Sequence, residues 1–110
     1  MEFIAKIHDG EKRILAVADK NLYGKEFTEG KLRLKINKFF NGDEITKKEL
    51  VKLLKNAEVE IVNIVGNKVV EFLKEKDFLD DFIEVDGVKY SHIVFRGDRK
   101  NDRDNNIRNK

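Results

Sequence analysis

Apolar positions along this chain alternate, cluster or recur every third and fourth residue, and each regime predicts an element. Phe3, Ile4 and Ile7 rise from a polar background over residues 2–8. Asp9-Gly10 follows, a dipeptide favoured in tight hairpin turns because both residues tolerate positive φ. Ile14-Leu15-Ala16-Val17 is then a continuous apolar run. Residues 2–8 and 12–18 therefore predict a β-hairpin. Residues 19–30 break the pattern, and Gly24 and Gly30 read as loop, with Leu22, Tyr23 and Phe27 pinning it to the core. Strict alternation returns over 31–36: Leu32, Leu34 and Ile36 point one way, and Lys31, Arg33 and Lys35 the other. Phe39-Phe40-Asn41-Gly42-Asp43 reads as a turn carrying two aromatic rings.

The period then lengthens. Leu50, Leu53, Leu54 and Ala57 recur at helical spacing, behind Thr46-Lys47-Lys48-Glu49. That tetrad fits a capping box, in which the threonine hydroxyl and the glutamate carboxylate satisfy each other's backbone N–H. A helix over 47–57 follows. Val59 to Val65 is apolar with Asn63 inside it, and reads as either a short strand or a loop. Gly66 opens a second helix over roughly 67–76. Residues 82–85 and 88–95 predict closing strands around an Asp86-Gly87 turn. The expected fold is α+β: a small mixed or antiparallel sheet packed with two main helices. Residues 1–96 form one domain on this reading. Residues 97–110 hold a single apolar side chain, Ile107, and read as a flexible basic tail.

Composition narrows the function classes. The 110 residues contain no cysteine, which removes disulfides, thiolate nucleophiles and cysteine metal sites. The N-terminal apolar run is too short for a signal peptide, and no stretch reaches the length of a membrane span. A cytoplasmic location and no membrane partner are the expectation. Charged residues are 40% of the chain, yet the net charge is only +2. Residues 1–95 carry 17 basic and 18 acidic side chains, whereas 96–110 carry six and three. A near-neutral body with a mildly basic tail is not the footprint of a dedicated duplex-DNA binder.

An ordered set of segments resembles a known family. Asp19-Lys20-Asn21-Leu22-Tyr23-Gly24-Lys25 precedes Glu29-Gly30-Lys31-Leu32-Arg33-Leu34, then Phe39-Phe40-Asn41-Gly42. Leu53-Leu54-Lys55-Asn56-Ala57, Asn63-Ile64-Val65-Gly66 and the Gly87-Val88 to Val94 strand follow in the same order. Together they resemble the archaeal family called domain of unknown function 424, over roughly residues 12–95. Departures stand at Ala18, where members often carry cysteine, at Phe40 and Asn41, and at Lys89-Tyr90, where members usually have Pro-His. The resemblance implies a small α+β protein without an assigned activity, and a link to RNA or translation.

Candidate chemistry is sparse. His8 and His92 titrate in the useful range, but no partner constellation accompanies them. Ser91 is the single serine and lacks a nucleophile-elbow context. Asp77, Asp80, Asp81 and Glu84 lack the spacing of a calcium loop and read as a solvated turn, so neither metal nor cofactor is expected. Gly66 could offer helix-terminal N–H groups to a phosphate, but a turn glycine that permits positive φ is the favoured reading. Asp19, Asn63, Gly66 and His92 are the candidate pocket residues, should they converge. The basic strand carries more: Lys31, Arg33 and Lys35 share one face, Lys38 follows, and Phe39 and Phe40 stand at its end. Lys48, Lys52 and Lys55 make a second stripe on the first helix. Positive sheet faces beside aromatic rings hold phosphates and stack bases in RNA-binding modules. Lysine-rich faces also guard strand edges against aggregation. The expectation is a non-catalytic RNA-binding protein associated with translation or the ribosome. It would use Lys31, Arg33, Lys35, Lys38, Phe39 and Phe40 together with Arg99, Lys100 and Arg103 of the tail. A protein-interaction module and a small enzyme are the alternatives.

Overall fold

The computed structural model describes residues 2–56 and 58–95. The expected tail, with Arg99, Lys100 and Arg103, lies outside the described residues. The chain runs β1 (Phe3–His8), β2 (Ile14–Asp19), β3 (Glu26–Glu29), β4 (Leu32–Lys35), β5 (Asp43–Ile45), α1 (Lys47–Asn56), β6 (Ile61–Val65), α2 (Asn67–Glu75), β7 (Ile83–Val85) and β8 (Val88–Val94). A six-stranded sheet has the order β5-β1-β2-β6-β8-β7, and β3 and β4 make a separate two-stranded sheet. Every pairing in the larger sheet is antiparallel except β2 with β6, which is parallel. The fold is α+β with a mixed sheet, as the sequence pattern predicts.

Three layers result. Strand alternation sends Phe3, Ala5, Leu15, Val17, Val62 and Ile64 to one face. There they meet Leu50 and Leu54 of α1 and Val69, Val70, Phe72 and Leu73 of α2. Burying each such leucine contributes about 2 kcal/mol. The α1 capping box forms: Thr46 N–H donates to Glu49 Oε1 at 2.8 Å, and Glu49 N–H donates to Thr46 Oγ1 at 3.1 Å. Ile4, Ala16, Ala18, Val65 and Val88 face the other way, under Leu34, Ile36 and Phe40 from the β3–β4 hairpin and the turn after it.

Three expectations change. The loop over 19–30 contains β3, which Phe27 alone marked as apolar; its cross-strand partners from Glu26↔Lys35 to Glu29↔Leu32 supply the pattern the segment lacks. Asp43, read as the end of a turn, instead begins the edge strand Asp43–Ile45, which pairs with Phe3–Ala5. Leu32 does not join Leu34 and Ile36 in the core, but stays 46% exposed at the hairpin tip. The segment over 59–65, open between strand and loop, is the central strand β6. Among the described residues no helix is long and apolar enough to cross a membrane.

Candidate nucleic-acid interface

The candidate pocket residues fall into two groups on opposite faces of the sheet. Asp19 ends β2 on the helix side, where its register partner Phe3 also points. Its carboxylate accepts the N–H of Lys68 at 3.0 Å and of Val69 at 2.9 Å. These are donors of the first turn of α2, left open because the N-cap position is Gly66, which has no side chain to offer. Gly66 has φ 127°, and a Cβ there would stand 2.3 Å from the Asp19 carboxyl carbon. Burial pushes the Asp19 carboxyl up from its ordinary value, and the bonds from Lys68 and Val69 partly offset that. The anion that this helix terminus attracts is supplied by the chain itself, so the donors of Lys68 and Val69 are not free for a phosphate.

The other face carries three rows of side chains, fixed by register. Ile4, Ala18, Val65 and Tyr90 form one row, Lys6, Ala16, Asn63 and His92 the next, and His8, Ile14, Ile61 and Val94 the third. The hairpin packs over the first row. The third is more open, and Val94 is 62% exposed. Between them the turn at Lys38–Phe40 crosses β1 and β2. Asn37 organises this turn, its Oδ1 accepting Phe39 N–H at 3.2 Å. The Phe39 ring stacks on His8, centroids 4.2 Å apart and 11° from parallel, and His8 Nε2 donates to the Phe39 carbonyl at 2.9 Å. Phe40 meets Phe39 edge-on at 5.4 Å and is buried. Phe39 therefore keeps surface for a ligand, and Phe40 serves the core instead.

Beside this turn lies a cleft of about 190 Å³ lined by Leu34, Phe39, Phe40, Asn63, Tyr90 and His92, among others. Asn63 and His92 are direct cross-strand partners on its floor. Asp19 takes no part, so Asp19, Asn63 and His92 do not converge on one pocket.

The profile of the family described as "Protein of unknown function (DUF424)" matches residues 7–94. The chain belongs to the DUF424 family. No curated protein matches it. Among solved structures, an uncharacterised conserved protein from the archaeon Methanopyrus kandleri is similar, with a TM-score of 0.71 at 20% identity. The alignment covers 86% of this chain and 93% of that one. At that identity the likeness shows the fold alone.

In this DUF424 chain the basic residues of 31–38 lie along the hairpin and the turn that follows it. Lys31, Arg33, Lys35 and Lys38 are all exposed. Arg33 Nε lies 2.8 Å from Glu26 Oε2, and Glu26 also stands opposite Lys35 in the hairpin register. One acid thus partly screens the basic strand, a cross-strand pairing that 31–36 alone could not reveal. Lys48 and Lys52 are exposed on α1, in the layer behind the sheet. Among the described residues no three His, Cys, Asp or Glu side chains are grouped to hold a metal ion. Two contributors to the cleft escaped the sequence reading. Tyr90 and the His8–Phe39 stack become visible only when β1, β2, β6 and β8 are aligned in register.

Proposed function

We propose that this protein binds RNA without catalysing a reaction, and that it acts near the translation machinery. The observation that carries the RNA reading is the stacked, half-buried Phe39 at the mouth of a polar-floored cleft, with Lys38 next to it in the chain and the exposed cations Lys31, Arg33 and Lys35 on the hairpin that packs over the same face of the sheet. Aromatic faces take unstacked bases, and nearby cations neutralise their phosphates. The translation setting rests on family resemblance. Changing Lys31, Arg33 and Lys35 together to Gln should weaken RNA binding. It should also lower the salt dependence by about 2 in the slope of log K against log salt, if all three meet phosphates of a single strand. Wild-type affinity and slope in the triple variant would remove this surface from the proposal.

A second reading has its own observation. Among the described residues β5 pairs with Phe3–Ala5 of β1 alone, and beyond it a groove of about 600 Å³ is lined by Lys6, Ile7, Asn41, Asp43 and Leu53, among others. An extended segment of a protein partner could continue the sheet there. Sedimentation of the tagged chain in lysate separates the two readings. Co-migration with ribosomal particles that RNase or moderate salt abolishes favours RNA, whereas association indifferent to both favours the protein partner.

A further inference from the structure

Asn63 stands in the middle of the central strand β6, between Ala16 on one side and His92 on the other. It is half-buried, and among the described residues its amide has no hydrogen-bond partner. Its polar atoms stay open to solvent at the cleft, at a position where the middle of a sheet favours apolar side chains. His92 beside it is exposed, and its ring also lacks a partner among the described residues. Ala16 contributes only a methyl group, so nothing on that side competes for the amide. Leu34, Phe39 and Phe40 wall the same cleft, with Val65 and Tyr90 on the neighbouring row of the floor.

The cleft therefore combines apolar and aromatic walls with donors and acceptors at its base. A planar heteroaromatic ring with a polar edge satisfies both features at once. An amide offers one donor and one acceptor side by side, the pattern that complements the N6–N7 edge of adenine. Two cationic residues stand near the cleft: Lys38 directly precedes Phe39, and Lys6 shares the row of Asn63.

We infer that this cleft is a nucleobase pocket, in which Asn63 and His92 bond the edge of one base and Phe39 and Tyr90 contact its faces. The inference deepens the RNA reading and rests on it for the source of the base, because a free nucleotide presents the same ring.

The test uses the full chain with Tyr23→Phe, since there is no tryptophan and Tyr90 then remains the single tyrosine. Three probes are titrated: an eight-residue oligoadenylate, an abasic oligomer of equal length, and adenosine monophosphate. The first should bind and change Tyr90 emission, and the abasic oligomer should bind more weakly and leave emission unaltered. Asn63→Leu should lower oligoadenylate affinity about tenfold, the scale of one well-held base. His92→Ala, at an exposed position, guards against a folding artefact and should cost affinity without shifting the melting temperature. If oligoadenylate binds with salt dependence but Tyr90 emission and both variants match wild type, the pocket is overturned while RNA binding stands. If only the monophosphate binds and alters Tyr90, the pocket stands and the RNA reading fails. Binding of none of the three overturns both.

Discussion

Asn63 and Gly66 stand three residues apart, one inside β6 and the other at its exit, yet their surroundings are opposite in kind. At Gly66 the helix donors of Lys68 and Val69 have Asp19, and the space a side chain would need is filled by that carboxylate. At Asn63 the amide and its imidazole neighbour face a cleft with no hydrogen-bond partner among the described residues. A satisfied polar cluster reads as architecture, because its residues already explain one another. A polar pair left open to solvent in the middle of a sheet is free to meet a ligand. The difference can be tested by substitutions that should move stability in opposite directions at the two places.

Gly66→Ala should do the most damage. Its φ of 127° is a conformation that L side chains rarely adopt, and the added Cβ would sit 2.3 to 2.7 Å from the Asp19 carboxyl atoms. A loss of about 3 kcal/mol or more in urea unfolding is expected, strain and clash together. A double-mutant cycle with Asp19→Ala separates the two, since removing the carboxylate relieves the clash and leaves the strain. Additive effects would show that the close approach carries no energy and would leave Gly66 an ordinary turn glycine.

Asp19→Ala comes second, at about 2 kcal/mol, the scale of a lost helix cap whose donors stay buried. Asp19→Asn keeps one acceptor and should cost less. The pH dependence has a definite sign. Burial raises the folded-state pKa above the usual 3.8 despite the two backbone bonds. Between those values the native chain binds more protons than the unfolded one, so this group's contribution to stability rises as pH falls through the window and levels off below 3.8. The difference between wild type and Asp19→Asn, measured by denaturation across acidic pH, should follow that course. A difference independent of pH would mean that the carboxyl is not perturbed.

Local pattern made some of this legible and left the rest hidden. The capping box at Thr46 and Glu49 is written in four consecutive residues, and it forms as written. The Asp-Gly dipeptide occurs twice with different outcomes. Asp86-Gly87 makes a two-residue turn with both φ values positive, held by Asn67, whose side chain bonds Gly87 and Lys89. Asp9-Gly10 instead lies in a longer connection between His8 and Ile14, where Asp9 pairs with Arg13. Turn chemistry alone does not tell these apart. β3 was invisible because Glu26, Thr28 and Glu29 gain strand character from β4 across the hairpin. Asp19, Asn63, Gly66 and His92 could be singled out from the sequence as pocket candidates. Their division into two sites could not, because it depends on strand order and on which face each residue takes. The parallel β2–β6 pairing settles this by bringing together segments more than forty residues apart.

The smallest expected effect is the most diagnostic of the contrast. Asn63→Leu should stabilise the fold by about 0.5 kcal/mol, because it replaces an unpartnered amide in a central strand with an apolar side chain of similar size. Its neighbours favour that gain, since Leu34, Phe39, Phe40 and Tyr90 line the same cleft. The comparison requires the sign, whatever the size: a substitution that strengthens the fold while weakening base binding marks a residue kept for a ligand at the expense of stability. Urea denaturation of wild type and Asn63→Leu, with the unfolding slope unchanged, measures it directly. A clear loss of stability would mean that the amide serves the fold after all, and Asn63 would then belong with Gly66 and Asp19 as architecture.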